Sequence, residues 1–198
     1  MAEVPEVLVP GEPGLASHLL AETIAAGFQP ALSHKMVADH GFMTVYYKLD
    51  PQMRLPMVPI VMNCTQPPLM TLRHAYDFGA AVGDAIRSYP GLERVALCAA
   101  GGLSHFVGEP RVGDIDEEFD RWFLKQLESD APPELLDMPN DELMEAGNGT
   151  GEVRSWVALA GAMRGHAAES PCVHEPIYEW INGMGVVTYD PDPVGAPA

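Results

Sequence analysis

Apolar residues along this chain follow two spacings, and the change from one to the other marks the elements. Leu15, Leu19, Leu20 and Ile24 recur at helical intervals and Gly27 follows as a stop signal, so the spacing predicts a first helix over 13–27. Residues 57–63 (MVPIVMN) and 95–100 (VALCAA) are instead short continuous apolar runs bounded by turn residues, which read as buried strands. Between them Pro67 and Pro68 break the chain, and a long helix is expected over 69–89. Gly79, Ala80, Ala81 and Gly83 in its middle suit close packing against a sheet. Strand, helix and strand in this order predict a parallel βαβ unit with a right-handed crossover.

Farther along, residues 28–34 read as a sheet-edge segment, and Asp114 reads as an N-cap with Glu117 completing a capping-box-like start. The helix it opens is expected to run to about residue 128 with Phe119, Trp122, Phe123 and Leu127 as its buried stripe. An acidic helical segment is expected over 132–146. A glycine-rich bend at 147–152 (GNGTGE) then opens a helix over 152–164, with Trp156, Leu159, Ala160 and Met163 on one face. A last strand is expected at 186–189 and a frayed tail at 191–198. The pattern gives an α/β chain with one domain over 1–190 and no internal repeat.

Composition narrows the function classes. The chain has 198 residues, 47% of them apolar, enough for one domain with a real core. Its formal charge is −17, and residues 114–145 hold twelve acids against Arg121 and Lys125. Such a surface would not neutralise phosphates, so nucleic acid and anionic membrane are not expected partners. No apolar run approaches the length needed to span a bilayer. Residues 1–14 carry glutamates and no basic residue, unlike a signal or transit peptide. Cys64, Cys98 and Cys172 are widely spaced, which argues against a zinc or disulfide framework and fits a cytoplasmic setting.

Three separated features can carry chemistry. Gly101 and Gly102 end the second apolar run and deliver His105; in open α/β sheets the ligand crevice lies outside such strand ends. His40 sits in an Asp39-His40-Gly41 step, and Glu152 lies at the start of a helix. Each has a plain alternative: a surface-loop or satisfied core histidine for His105, a turn capped by Asp39, and a carboxylate favoured by the helix dipole for Glu152. Together, two imidazoles that titrate near neutrality and one hard oxygen ligand suit acid/base work beside a metal. The glycine bend lacks the GK[ST] ending of a phosphate loop, and Ser104 lies in no GxSxG elbow, which disfavours a hydrolase. Arg111, Arg154 and Arg164 read as surface charges, with contact to a substrate carboxylate as the other reading.

The motif set resembles the class III extradiol ring-cleavage dioxygenases, of the catalytic-subunit type seen in protocatechuate 4,5-dioxygenase beta chains. The residues that carry the resemblance are the Asp-His-Gly step at 39–41, the turn at 63–68, RVALCAAGGLSH at 94–105, FDRWFL at 119–124, the segment 149–163 beginning GTGEVRSW, and EWINGMGVV at 179–187. The resemblance implies a three-layer αβα fold with a central mixed, largely parallel sheet. It implies Fe(II)-dependent cleavage of a catechol-type ring by O2, with Glu152 as an iron ligand and His105 and His40 as active-site histidines. It also implies assembly into a homo- or hetero-oligomer. The family's two iron histidines each follow a strand near the start of the domain. Here no histidine precedes His18, and neither His18 nor His34 sits in matching context. The chain is therefore expected to be an incomplete domain that lacks those two ligands, with a non-catalytic binding or assembly subunit as the alternative.

Overall fold

Two helices that face each other through glycine form the centre of the protein. In the computed structural model, which describes residues 7–91, 94–166, 168–169 and 171–190, these are α3 (Leu72–Ser88) and α7 (Val153–Ala162). A Cβ on Gly79 would overlap the carbonyl of Ala158, one on Gly161 would overlap the carbonyl of Tyr76, and one on Gly83 would lie 2.5 Å from Ala162 O. The small residues of α3 therefore serve close approach to another helix, and not to a sheet as the pattern suggested. Thr71 caps α3, its hydroxyl accepting from His74 N.

Two further groups of helices build on this pair. α1 (Pro13–Ala25) packs Leu15 and Leu19 against Val82 and Ala85 of α3. His18 of α1 is bonded through Nε2 to Ala85 O and Ser88 Oγ and lies against the Tyr89 ring, so it ties the two helices together. α4 (Glu117–Leu127), α5 (Pro133–Leu136) and α6 (Asn140–Glu145) bring Phe123, Leu127, Leu135 and Leu143 onto Val153, Trp156 and Val157 of α7. The N-cap of α4 is Asp116, which accepts from Phe119 N at 2.9 Å; Asp114, the expected cap, pairs with Arg111 instead. The segment expected to be one acidic helix is divided by Asp137, Met138 and Pro139 into α5 and α6.

The only paired strands among the described residues are β1 (Val173–Ile177) and β2 (Asn182–Val186), antiparallel, with His174 opposite Gly185 and Ile177 opposite Asn182. β2 begins four residues earlier than the strand expected at 186–189. Residues 57–63 and 95–100, expected as buried strands, are half-buried to exposed and form no ladder among the described residues, and neither do residues 28–34. The parallel βαβ pairing is thus not formed here. A strand needs a neighbour for its N–H and C=O groups, and residues 57–63 find one such backbone bond among the described residues, from Met57 N to Pro10 O. The protein is mixed helix and strand. No helix of the described residues is long and apolar enough to cross a membrane. The expected tail at 191–198 lies outside the described residues.

Candidate active site

The glycine pair after residue 100 does what its position suggests: it lets a helix start and an imidazole meet. α7 is preceded by a 3-10 turn (Thr150–Glu152), and the Glu152 side chain reaches across to accept a hydrogen bond from Gly102 N at 2.6 Å. Gly101 is held from the same side, its carbonyl accepting from Trp156 Nε1 at 3.0 Å, while Ala100 O accepts from Ser155 Oγ. A Cβ on Gly101 would lie 2.9 Å from the Glu152 Cβ, so neither glycine position has room for a side chain.

His105 is buried at the other side of Gly102, 7% exposed. Its Nδ1 lies 2.9 Å from Leu103 O. A carbonyl only accepts, so Nδ1 carries a hydrogen, and Nε2 is the nitrogen that can take up or give a proton. That nitrogen faces Gly149, where a Cβ would overlap it, and Gly149 N donates to His105 O at 3.1 Å. The glycine-rich bend is thus the wall of the imidazole pocket. Asn148 closes it further, exchanging both amide bonds with the backbone of Val107.

A third side chain arrives from β2. A Cβ on Gly102 would lie 2.5 Å from Asn182 Nδ2 and 2.9 Å from His105 Cε1. Asn182 follows Ile181, a β-branched residue held at φ 53°, in the left-handed region that such residues avoid. Asn182 Oδ1 is buried and has no hydrogen-bond partner among the described residues. His105, Glu152 and Asn182 therefore converge on one glycine.

His40 stands apart. It is the exposed first residue of α2 (His40–Leu49), capped by Asp39, whose carboxylate accepts from Gly41 N at 2.9 Å. No residue of α2 is buried, and among the described residues no hydrogen bond, ion pair or ring contact joins His40 to His105 or Glu152. The expected metal ligand Glu152 is likewise without companions: no group of three or more His, Cys, Asp or Glu among the described residues could hold an ion. One carboxylate does not make the three-ligand face that a non-haem Fe(II) requires, so this donor set alone does not fit the metal.

Arg154 corrects its sequence reading as a surface charge. It is fully buried and donates from Nε to Met70 O (2.8 Å), from Nη1 to Gly151 O (2.9 Å) and Cys64 O (3.5 Å), and from Nη2 to Asn140 Oδ1 (2.6 Å). It thereby fastens the turn at 63–68, α6 and the turn that carries Glu152 to one another. Burial pulls the guanidinium below its usual range, and burial, with Glu152 adding to it, pushes the Cys64 thiol up. Arg111 lies over the Phe106 ring, and Arg164 pairs with Asp84, so both are surface contacts as expected.

Sequence reasoning passed over Asp120 and Asn182. Asp120 stands three, four and seven residues before Phe123, Leu124 and Leu127, so it lies on the apolar face of α4, which is the signal that marks it. It is fully buried, and desolvation raises its carboxyl above the usual range against the pull of Ser104 and His174. Asn182 lay inside a recognised motif, but nothing in its spacing sets it apart from a turn residue.

The sequence profile of the family described as the catalytic LigB subunit of aromatic ring-opening dioxygenase matches residues 2–185. Among curated proteins the chain is 33% identical over 159 residues to gallate dioxygenase of Pseudomonas putida, covering 78% of this chain and 46% of that protein. It is 27% identical over 229 residues to the 2,3-dihydroxyphenylpropionate/2,3-dihydroxicinnamic acid 1,2-dioxygenase of Paraburkholderia xenovorans, covering 92% of this chain and 71% of that one. The enzyme of the same name from Cupriavidus necator is 28% identical over 223 residues, with 89% and 71% covered. This chain thus spans about half the length of the first of these relatives and about seven-tenths of the other two. With a match that runs over nearly all of its residues, the chain belongs to the family of catalytic LigB subunits of aromatic ring-opening dioxygenases.

Proposed function

We propose that this chain supplies the proton-transfer side of an extradiol dioxygenase site that opens the ring of a catechol-type acid with O2. The observation that carries the reading is the meeting of His105, Glu152 and Asn182 at Gly102, with His105 Nε2 left free to take a proton. An imidazole in that state removes a phenolic proton from a bound catechol and returns it later to a developing oxyanion. Asn182 can bond a ring substituent, since its buried oxygen lacks a partner. Family membership and the dioxygenase names of the relatives support the reaction class.

Fe(II) is the metal we assign to the assembled site. Glu152 would give it one oxygen ligand, and the other ligands would come from outside the described residues. His40 is the second acid/base group of this reading, which requires α2 to be seated on the rest of the protein. For the whole catalytic domain, residues 1–190 of this chain included, we assign the three-layer αβα fold, with 57–63 and 95–100 as strands of its central sheet. We assign an oligomer, homo- or hetero-, a reading supported by apolar side chains left in solvent, such as Val61 and Trp180. The three free cysteines suit the cytoplasm. A non-catalytic assembly subunit is the second reading, favoured by the incomplete ligand set.

Oxygen uptake decides between them. The protein together with the segment or chain that completes the iron ligands, loaded with Fe(II) under anaerobic conditions, is given gallate, 2,3-dihydroxyphenylpropionate and related catechol acids. Uptake with appearance of ring-fission product is expected, and His105→Gln should lower it about 10²-fold or more. An iron-loaded protein that leaves every catechol intact overturns the dioxygenase reading, and stable association with a related chain then supports the assembly one.

A further inference from the structure

The Leu103–Ser104 peptide group is bonded at both ends to chemistry-bearing side chains. Its C=O accepts from His105 Nδ1 at 2.9 Å, and its N–H donates to Asp120 Oδ1 at 2.8 Å. We infer that Asp120 is the positioning residue for His105, acting on the imidazole through this one peptide plane. The inference rests on the dioxygenase reading for its functional meaning, but its geometry does not.

Two effects follow from the arrangement. The carboxylate fixes the tilt of the peptide, and the carbonyl of that peptide fixes the ring, so Asp120 sets where Nε2 points. A negative charge at the N–H end of a peptide also polarises its carbonyl, which strengthens the bond to Nδ1–H and makes Nε2 a better base. The result is the carboxylate–imidazole logic of an oriented general base, with a peptide group inserted between the two.

The surroundings hold Asp120 to this task. Its second oxygen, Oδ2, lies 3.2 Å from Nε2 of His174 on β1. A Cβ on Gly183 would overlap that same oxygen, so β2 passes directly over the carboxylate. Leu103 N donates to Gly183 O, and Gly183 N donates to Ser104 O, which pins the peptide from the strand side. Ser104 Oγ accepts from Asp116 N and pins it from the helix side. The other charged group facing His174 is Glu117 of α4, whose carboxylate is bonded by Tyr178 and Arg121. Because Gly183 adjoins Asn182, the same carboxylate anchors the strand that delivers the third side chain of the site.

The test is a pH titration of the histidine ring resonances of the full chain, labelled at histidine, without substrate. His105→Gln assigns the His105 signal. In Asp120→Asn, which keeps the shape and an acceptor for Ser104 N–H but removes the charge, the His105 midpoint is expected to fall by about half a unit. In the iron-loaded protein, turnover should fall about tenfold with KM changed less, as for other groups that orient an active-site imidazole. Leu19→Ala, a truncation in the separate core between α1 and α3, should leave the midpoint where it is. A folded Asp120→Asn protein whose His105 titrates as in the wild type overturns the proposal. Should that variant fail to fold, His174→Gln carries the test, and an unmoved His105 there overturns it equally. A wild type that cleaves no catechol while its His105 midpoint responds to Asp120 removes the dioxygenase reading and leaves the positioning role standing.

Discussion

Along α3 and α7 the backbones touch wherever Gly79, Gly83 and Gly161 leave out a side chain, whereas α2, with ten residues, has none that is buried. Both regions carry good local signals: a side-chain cap at Thr71 and another at Asp39, and apolar residues at helical spacing in each. What separates them is a partner. α3 has α1 on one side and α7 on the other, while α2 has no buried residue; residues 57–63 lean Val58 and Ile60 on the α1–α3 core and Met62 on the main one, but pair with no strand among the described residues. Local pattern decides that a segment becomes helical or extended; burial against a neighbour decides how much stability it contributes. The candidate site is built entirely on the first kind of region, where the loop at 101–105 is held by α4, α7 and β2 at once.

This contrast can be broken most forcefully at Gly79. Valine there must push α7 away from α3, at a cost of about 3 kcal/mol. A chemical-denaturation midpoint should fall accordingly, and an unchanged midpoint would mean that the two helices are not packed backbone to backbone. Arg154→Met removes four hydrogen bonds and strands carbonyls from the turn at 63–68 and the turn before α7. The loss should be similar or slightly smaller, about 3 kcal/mol, and should be accompanied by weaker activity because Glu152 is on the same turn. In the open region, Asp39→Ala removes the cap of α2, worth about 1 kcal/mol to the helix itself. Since no residue of α2 is fully buried, thermal unfolding of the whole protein should hardly change, while amide exchange at residues 40–43 should quicken. A large drop in melting temperature would show α2 to be seated on the core.

Much of this architecture could be read in advance. Helices α1, α3 and α7 follow apolar spacings that need no tertiary help, and the meeting of GGLSH with Glu152 follows from motifs with glycine where close approach is needed. The β1–β2 hairpin was harder to see. β2 reads NGMGV, with glycine at two of five positions, and is a strand because it lies over Leu103 and Asp120, where a Cβ has no room. Arg154 was misread because a guanidinium is normally solvated; only the fold shows three backbone carbonyls and one amide oxygen collected around it. The small residues of α3 were read correctly as a close-packing stripe but against the wrong partner, since helix and sheet ask for the same absence of side chain. His40 matches a motif, but the motif places it on a helix that the rest of the described chain does not cover.

The enclosure of Arg154 also governs how the protein meets a digestive protease. Trypsin must take an arginine side chain into its specificity pocket and straighten the residues around it. The bond after Arg154 lies in the first turn of a buried helix, with its guanidinium walled in by three chain segments. Cleavage there has to wait until the helix pair comes apart, so the appearance of a fragment ending at Arg154 is a clock for opening of the core, one that nicking at the exposed Lys48 of α2 would run far ahead of.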